Sequence, residues 1–138
     1  MIESLTFEIL DQRVKLYRVH PELKATILGH LIPILISDQF FSISQSFGEF
    51  SFFTSQIRAV EDTGFVCHTH EQFCVIKISA CTPLIQESGI VSWISKLFAA
   101  ADIPIVYLNS YANNYVLFPE DCLEDVQDLC AKKEIRVL

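Results

Sequence analysis

The hydrophobic pattern of the second half of the chain changes period several times, and each change marks an element. Gln72 to Ala80, QFCVIKISA, is rich in β-branched and aromatic residues and reads as a strand. Between Ser88 and Ala101 the apolar residues Ile90, Ile94, Leu97, Phe98 and Ala101 recur at three- and four-residue spacing, which puts them on one face of a helix with Ser88 as its N-cap. Ile103 to Asn109 and Tyr115 to Phe118 are two further strands, joined by the polar NSYANNY, whose asparagines tolerate the left-handed backbone of a hairpin turn. PEDCLEDVQDLCAKK predicts a second helix: Pro119 suits its first position, Glu120 and Asp121 face the positive end of its dipole, and Lys132 and Lys133 the negative end. IRVL closes as a fourth strand. Strand, helix, strand, strand, helix, strand is the ferredoxin-like order, in which the second strand lies at a sheet edge, a place that suits Pro104.

The first half repeats part of this pattern. QRVKLYRV reads as a strand, Pro21 to about Leu31 as a helix interrupted by Pro33, and QFFSISQ with EFSFFTS as a hairpin around SFG. Gln56 to Gly64 is short, with Ile57, Ala59 and Val60 as its apolar residues, and does not read as a helix. The expectation is an α+β protein of two ferredoxin-like (βαββαβ) modules packed together, residues 1–65 forming an irregular one and residues 66–138 a complete one. A chain of 138 residues buries roughly two thirds of its unfolded surface, so a core without staples is available.

Composition narrows the functional classes. Hydrophobic residues make up 51% of the chain, yet polar residues, glycine or proline interrupt every apolar run before a membrane-spanning length of about 18 residues. ILGHLIPILIS lacks the cationic flank and cleavage pattern of a secretory leader, so a cytoplasmic protein is expected. The net charge is −7 and the ten Lys and Arg residues are scattered, whereas a nucleic-acid partner requires a basic stripe. Five cysteines without framework spacing, Cys67, Cys74, Cys81, Cys122 and Cys130, read as buried thiols in a reducing compartment.

Candidate chemistry is sparse. In CHTHEQFC a strand would turn His68 and His70 to one face, as two imidazole ligands require, but Cys67 would face away and no further ligand pair follows Cys74, so no metal is expected. Nucleophile elbows and phosphate-binding glycine loops are absent from the sequence, and Cys74, Cys81, Cys122 and Cys130 sit in apolar or helical settings with no nearby histidine in sequence, which argues against an enzyme and against a cofactor. Glu120, Asp121, Glu124, Asp125 and Asp128 read as a helix start and its solvated face rather than a cation site. Two places retain binding potential. Glu87, Ser88 and Gly89 precede a helix whose free N–H groups suit a carboxylate, with Gly89 permitting close approach, and the Asn109 to Tyr115 turn can approach this loop of a neighbouring module, so that both line one cleft.

The stretch ESGIVSWISKLFAAADIPIVYLNSYANNYVLFPEDCLEDV resembles the second module of paired ACT-domain proteins, with their glycine and branched residue, helix, polar turn, apolar strand and Pro-Glu-Asp. LTFEILDQRVKLYRV and QFFSISQSFGEFSFF are similar to the first strands of the cytosolic arginine-sensor (CASTOR-like) family of TOR growth control. That resemblance implies a non-catalytic regulatory sensor that binds an amino acid between modules, forms a homodimer and passes its state to a protein partner in nutrient signalling. By the same resemblance Glu87 falls on a pocket glutamate, and Glu87 with the Ser88, Gly89, Ile90 and Val91 backbone would hold the ligand's α-amino and carboxylate groups. Ser110 and Tyr111 fall on a threonine and an aromatic residue, and with Asn114 would set side-chain choice; Pro104 and Ile105 fall on residues that another module supplies. Asn114 stands where an aspartate meets a guanidinium and Leu84 where the family has glycine, so a neutral or amide-bearing amino acid is expected rather than arginine. A ligand-free ACT-type dimerisation or protein-interaction module is the alternative.

Overall fold

The computed structural model describes residues 5–37, 39–64, 71–79 and 89–138. It divides into two compact units, Arg13–Gln72 and the discontinuous Met1–Gln12 with Phe73–Leu138, and strand β1 (Thr6–Val19) contributes to both. The division drawn from sequence, 1–65 and 66–138, assigns residues 1–12 and 66–72 differently.

The Arg13–Gln72 unit continues from β1 through a single turn (Pro21–Leu23), α1 (Lys24–Ile36), β2 (Phe41–Ser46), β3 (Glu49–Thr54) and the short α2 (Ile57–Glu61). Strand β3 is central, antiparallel to β1 from Lys15↔Thr54 to Val19↔Phe50 and to β2 from Phe41↔Thr54 to Ser46↔Glu49. The expected hairpin forms, with Gly48 at φ +71° in its tight turn. Tyr17 and Val19, and Phe50 and Phe52, use the two-residue strand period to face Ile27 and Leu31 of α1 and Val60 of α2 in one core. Lys15 Nζ meets Glu61 Oε2 at 3.1 Å, and the Tyr17 hydroxyl donates to the same oxygen at 2.5 Å.

Two expectations for this unit need correction. Helix α1 continues through Pro33 to Ile36. The missing Pro33 N–H leaves a carbonyl at Gly29, which is exposed and therefore open to water, while Ile27 and Leu31 anchor the helix in the core. Ile57–Glu61 is a helix after all: burial of Val60 and the Glu61 bonds hold a segment that its own propensity would not.

The second unit holds β4 (Phe73–Ser79), α3 (Ile90–Ala100), β5 (Val106–Asn109), β6 (Asn114–Pro119), a turn (Glu120–Cys122), α4 (Leu123–Lys132) and β7 (Arg136–Val137). Strand β6 is antiparallel to both β4 and β5, and β5 ends the sheet order. Strand β7 pairs in parallel with β1, through Thr6↔Arg136 and Phe7↔Val137. Cys74, Ile76 and Ile78 of β4 and Val116 and Phe118 of β6 alternate inward against Ile90, Ile94, Leu97 and Phe98 of α3 and Val126, Leu129 and Cys130 of α4. Buried Cys74 and Cys130 act as small core residues, and burial pushes the Cys130 thiol up from its ordinary pKa.

Both helices end in the same way. Asp102 and Glu134 adopt left-handed backbone at φ 57° and 56°. The next residue, Ile103 or Ile135, bonds back to Phe98 or Cys130, and the left-handed residue bonds to Ala99 or Ala131, which is the paired Schellman closure made without glycine. Three boundaries shift accordingly. Strand β5 begins at Val106 because Ile103 closes the helix, so Pro104 precedes the strand. Pro119 ends β6 opposite Phe73 instead of opening the helix, and Gly89, not Ser88, stands at the N-cap of α3. Among the described residues no helix is long and apolar enough to cross a membrane.

Candidate functional site

The β5–β6 hairpin turns through Ser110 to Asn113. Ser110 N–H donates to Asn113 O at 2.9 Å, Asn113 N–H donates to Ser110 Oγ at 3.2 Å, and Ser110 Oγ lies 3.3 Å from Asn113 O. These bonds put Tyr111 and Ala112 at the centre of the turn, closed by the Ser110 hydroxyl and the Asn113 main chain, and Asn109, Asn113 and Asn114 do not take the left-handed backbone expected of the asparagines. Tyr111, at the tip, is fully exposed. Asn114 opens β6, half-buried, opposite Asn109 on one side and Ile78 on the other.

The register decides where Asn114 points. Val116 and Phe118 face the core, so by the two-residue period Asn114 lies on the same, helix-covered face of the sheet, as does its neighbour Ile78. Strands β4 and β5 both oppose β6 and are therefore parallel, so α3, which links them, begins at the end of the sheet where β4 stops and returns to where β5 starts. The start of α3 and the Ser110–Asn114 turn thus share one end of the unit.

At that start Gly89 has φ +84° and, lacking a side chain, makes no cap bond to the helix. The first-turn N–H groups of α3 therefore receive no side-chain acceptor from the N-cap residue, and among the described residues a Cβ on Gly89 would meet nothing within 4 Å, which leaves its backbone open to an approaching group. Ile90 is buried and can offer only main chain, whereas Val91 is exposed. Glu87 and Ser88, with Leu84, lie outside the described residues. Pro104 and Ile105 stand at the opposite end of β5, one exposed and one half-buried, so this unit alone does not bring them to the turn.

One group here escaped the sequence reading. Tyr107 of β5, opposite Val116, packs against the core, and its hydroxyl is buried with no hydrogen-bond partner among the described residues; burial raises its pKa. Alternation along the sequence does not pick it out, because Tyr107 shares a strand face with the exposed Asn109. Of the histidine and cysteine cluster, Cys67, His68 and His70 lie outside the described residues and Cys74 is buried in β4. The Arg13–Gln72 unit carries a small cleft of about 130 Å³ lined by Pro21, Lys24, Gln45, Ser46, Glu49 and Phe50.

No family model matches the sequence, and no curated protein matches it either. Solved structures do. A protein of Agobacterium tumefaciens superposes with TM-score 0.71 at 19% identity, over 98% of this chain and 92% of its own. A protein of Vibrio cholerae, described as a possible transport protein, gives 0.71 at 11%, over 96% and 91%. The ligand-free regulatory subunit of aspartate kinase from Thermus thermophilus gives 0.61 at 9% identity, over 91% of this chain and 95% of its own. Further aspartate kinase regulatory structures match similarly. At these identities the likeness is one of architecture: the chain has an ACT-like α+β fold built on a mainly antiparallel sheet.

Proposed function

We propose that this chain is a non-catalytic regulatory protein of two ACT-type modules that binds an amino acid and transmits its occupancy to a protein partner in the cytoplasm. The observation that carries this reading is the shared end of the Phe73–Leu138 sheet, where a helix start with glycine as its N-cap and a turn of uncharged polar residues occur together. The likeness of the fold to regulatory subunits, over more than nine tenths of both chains, supports it.

In this reading the ligand carboxylate accepts hydrogen bonds from the Gly89, Ile90 and Val91 backbone, and the Glu87 carboxylate receives the α-ammonium. Asn114 faces the ligand side chain with a neutral amide that both donates and accepts, which suits a neutral or amide side chain. Pro104 and Ile105, remote from the turn within one unit, come from a second copy in a homodimer and close the site.

Thermal denaturation against the twenty common amino acids tests this. A ligand at 100 times its dissociation constant adds about 2.7 kcal/mol to stability, a readily measured rise in Tm. A flat response to all twenty sinks the proposal. The second reading, a ligand-free dimerisation module, is favoured by the lack of any charged side chain from Ser110 to Asn114; it expects a dimer whose Tm no amino acid changes.

A further inference from the structure

A groove of about 520 Å³ runs between α3 and α4, away from the Ser110–Asn114 turn. Trp93, Leu97 and Leu129 form its apolar floor, and Lys96, Lys132 and Lys133 stand on its rim. The three lysines are exposed and form no ion pair among the described residues. Lys132 and Lys133 complement the dipole at the end of α4, but Lys96 lies within α3, where helix energetics give it no such role. Three unpaired cations around an apolar floor are therefore a local reversal of sign in a chain of net charge −7.

We propose that this groove receives an acidic amphipathic helix of a partner protein. From Trp93 to Ala100 the lining extends for seven residue steps of α3, about 10 Å, which matches two turns of an incoming helix. Ala100 and Ala101 are small enough to let its backbone approach. Apolar side chains spaced three or four residues apart would enter between Leu97 and Leu129 against Trp93, and flanking carboxylates would meet the lysines. Charge complementarity at the rim argues for this occupant: the flanking carboxylates meet Lys96, Lys132 and Lys133, whereas a second copy would set two whole chains of net charge −7 against each other.

Trp93 is the only tryptophan in the chain, so its emission reports the groove directly. The probes are a synthetic helical peptide of about 18 residues with leucines on one face and glutamates flanking them, the same peptide with lysines for glutamates, and phosphatidylserine vesicles. The expected result is a saturable blue shift with the glutamate peptide alone, weakened roughly tenfold or more in the Lys96→Glu, Lys132→Glu, Lys133→Glu variant, whose fold circular dichroism verifies. No shift with the glutamate peptide, an equal shift with the lysine peptide, unchanged affinity in the variant, or a shift with vesicles but not peptide overturns the proposal. Since none of these residues belongs to the amino-acid site, failure here leaves that reading standing.

Discussion

Asn114 lies directly across the β4–β6 ladder from Ile78, at the end of the sheet where β4 stops, with its side chain on the helix-covered face. A carboxylate there would sit where the proposed ligand's side chain ends. Asn114→Asp is expected to favour cationic amino acids, raising arginine affinity relative to a neutral amino acid by about tenfold, the equivalent of 1.4 kcal/mol from one charge-assisted bond. Competition titrations of the two proteins with arginine and the preferred ligand measure the ratio, and an unchanged ratio removes Asn114 from the specificity set.

Gly89 and Gly48 allow a controlled test of backbone approach. Both have positive φ, and an added Cβ would meet nothing within 4 Å at either, so alanine costs each site backbone strain of about 1–2 kcal/mol without a clash. Chemical denaturation should give similar losses for Gly89→Ala and Gly48→Ala. Only Gly89→Ala should also weaken amino-acid binding, because its new methyl occupies the ligand's approach to the α3 main chain. Equal affinities in the two variants would argue against that approach.

Tyr17 is fully buried and donates to Glu61, which Lys15 also meets. Burial first, then the hydrogen bond to Glu61 and its charge, push the Tyr17 phenol far above its ordinary value of 10.0. Above that value the unfolded chain releases this proton while the native chain keeps it, so the contribution of Tyr17 to stability is complete below pH about 10 and declines as pH rises further. Tyr17→Phe should lower stability at pH 7 by about 1–2 kcal/mol and flatten the decline above pH 10. Urea denaturation across pH 7–11 checks both effects, and an unchanged alkaline slope would show that the phenol does not titrate with folding.

The glycine-free helix ends predict a gain. Asp102 and Glu134 bear left-handed backbone that costs an ordinary residue about 1–2 kcal/mol and glycine almost nothing, although glycine gives back part of this through its freer unfolded chain. Glu134→Gly is expected to stabilise the Phe73–Leu138 unit by about 1 kcal/mol, read from the Trp93 emission during denaturation. Destabilisation would mean that the Glu134 side chain contributes more than its backbone strain removes.

Local periodicity made much of the second unit legible. The three- and four-residue spacing from Ile90 to Phe98 gave α3, and the alternation of β4 and β6 gave its sheet. The partner of β7 was not legible, since its pairing with Thr6 and Phe7 joins opposite ends of the chain and leaves no local trace. Helix α2 escaped notice for a related reason: five residues with one buried valine depend on tertiary contacts alone. At the candidate site the polar turn was visible in residue type, and so was a glycine beside the start of α3. Its position as N-cap was not, because serine is the commoner cap. The α3–α4 groove required the fold itself, since Lys96 and Lys132 lie 36 positions apart in sequence.

The central claim is that the chain binds an amino acid in order to regulate. Isothermal titration calorimetry of the purified chain against each of the twenty common amino acids tests it most directly. The account predicts a saturating isotherm for at least one neutral or amide-bearing amino acid, with about one site per chain, abolished in Glu87→Ala while the fold persists. No binding heat from any of the twenty at about 10 mM, or binding that Glu87→Ala leaves intact, would contradict it.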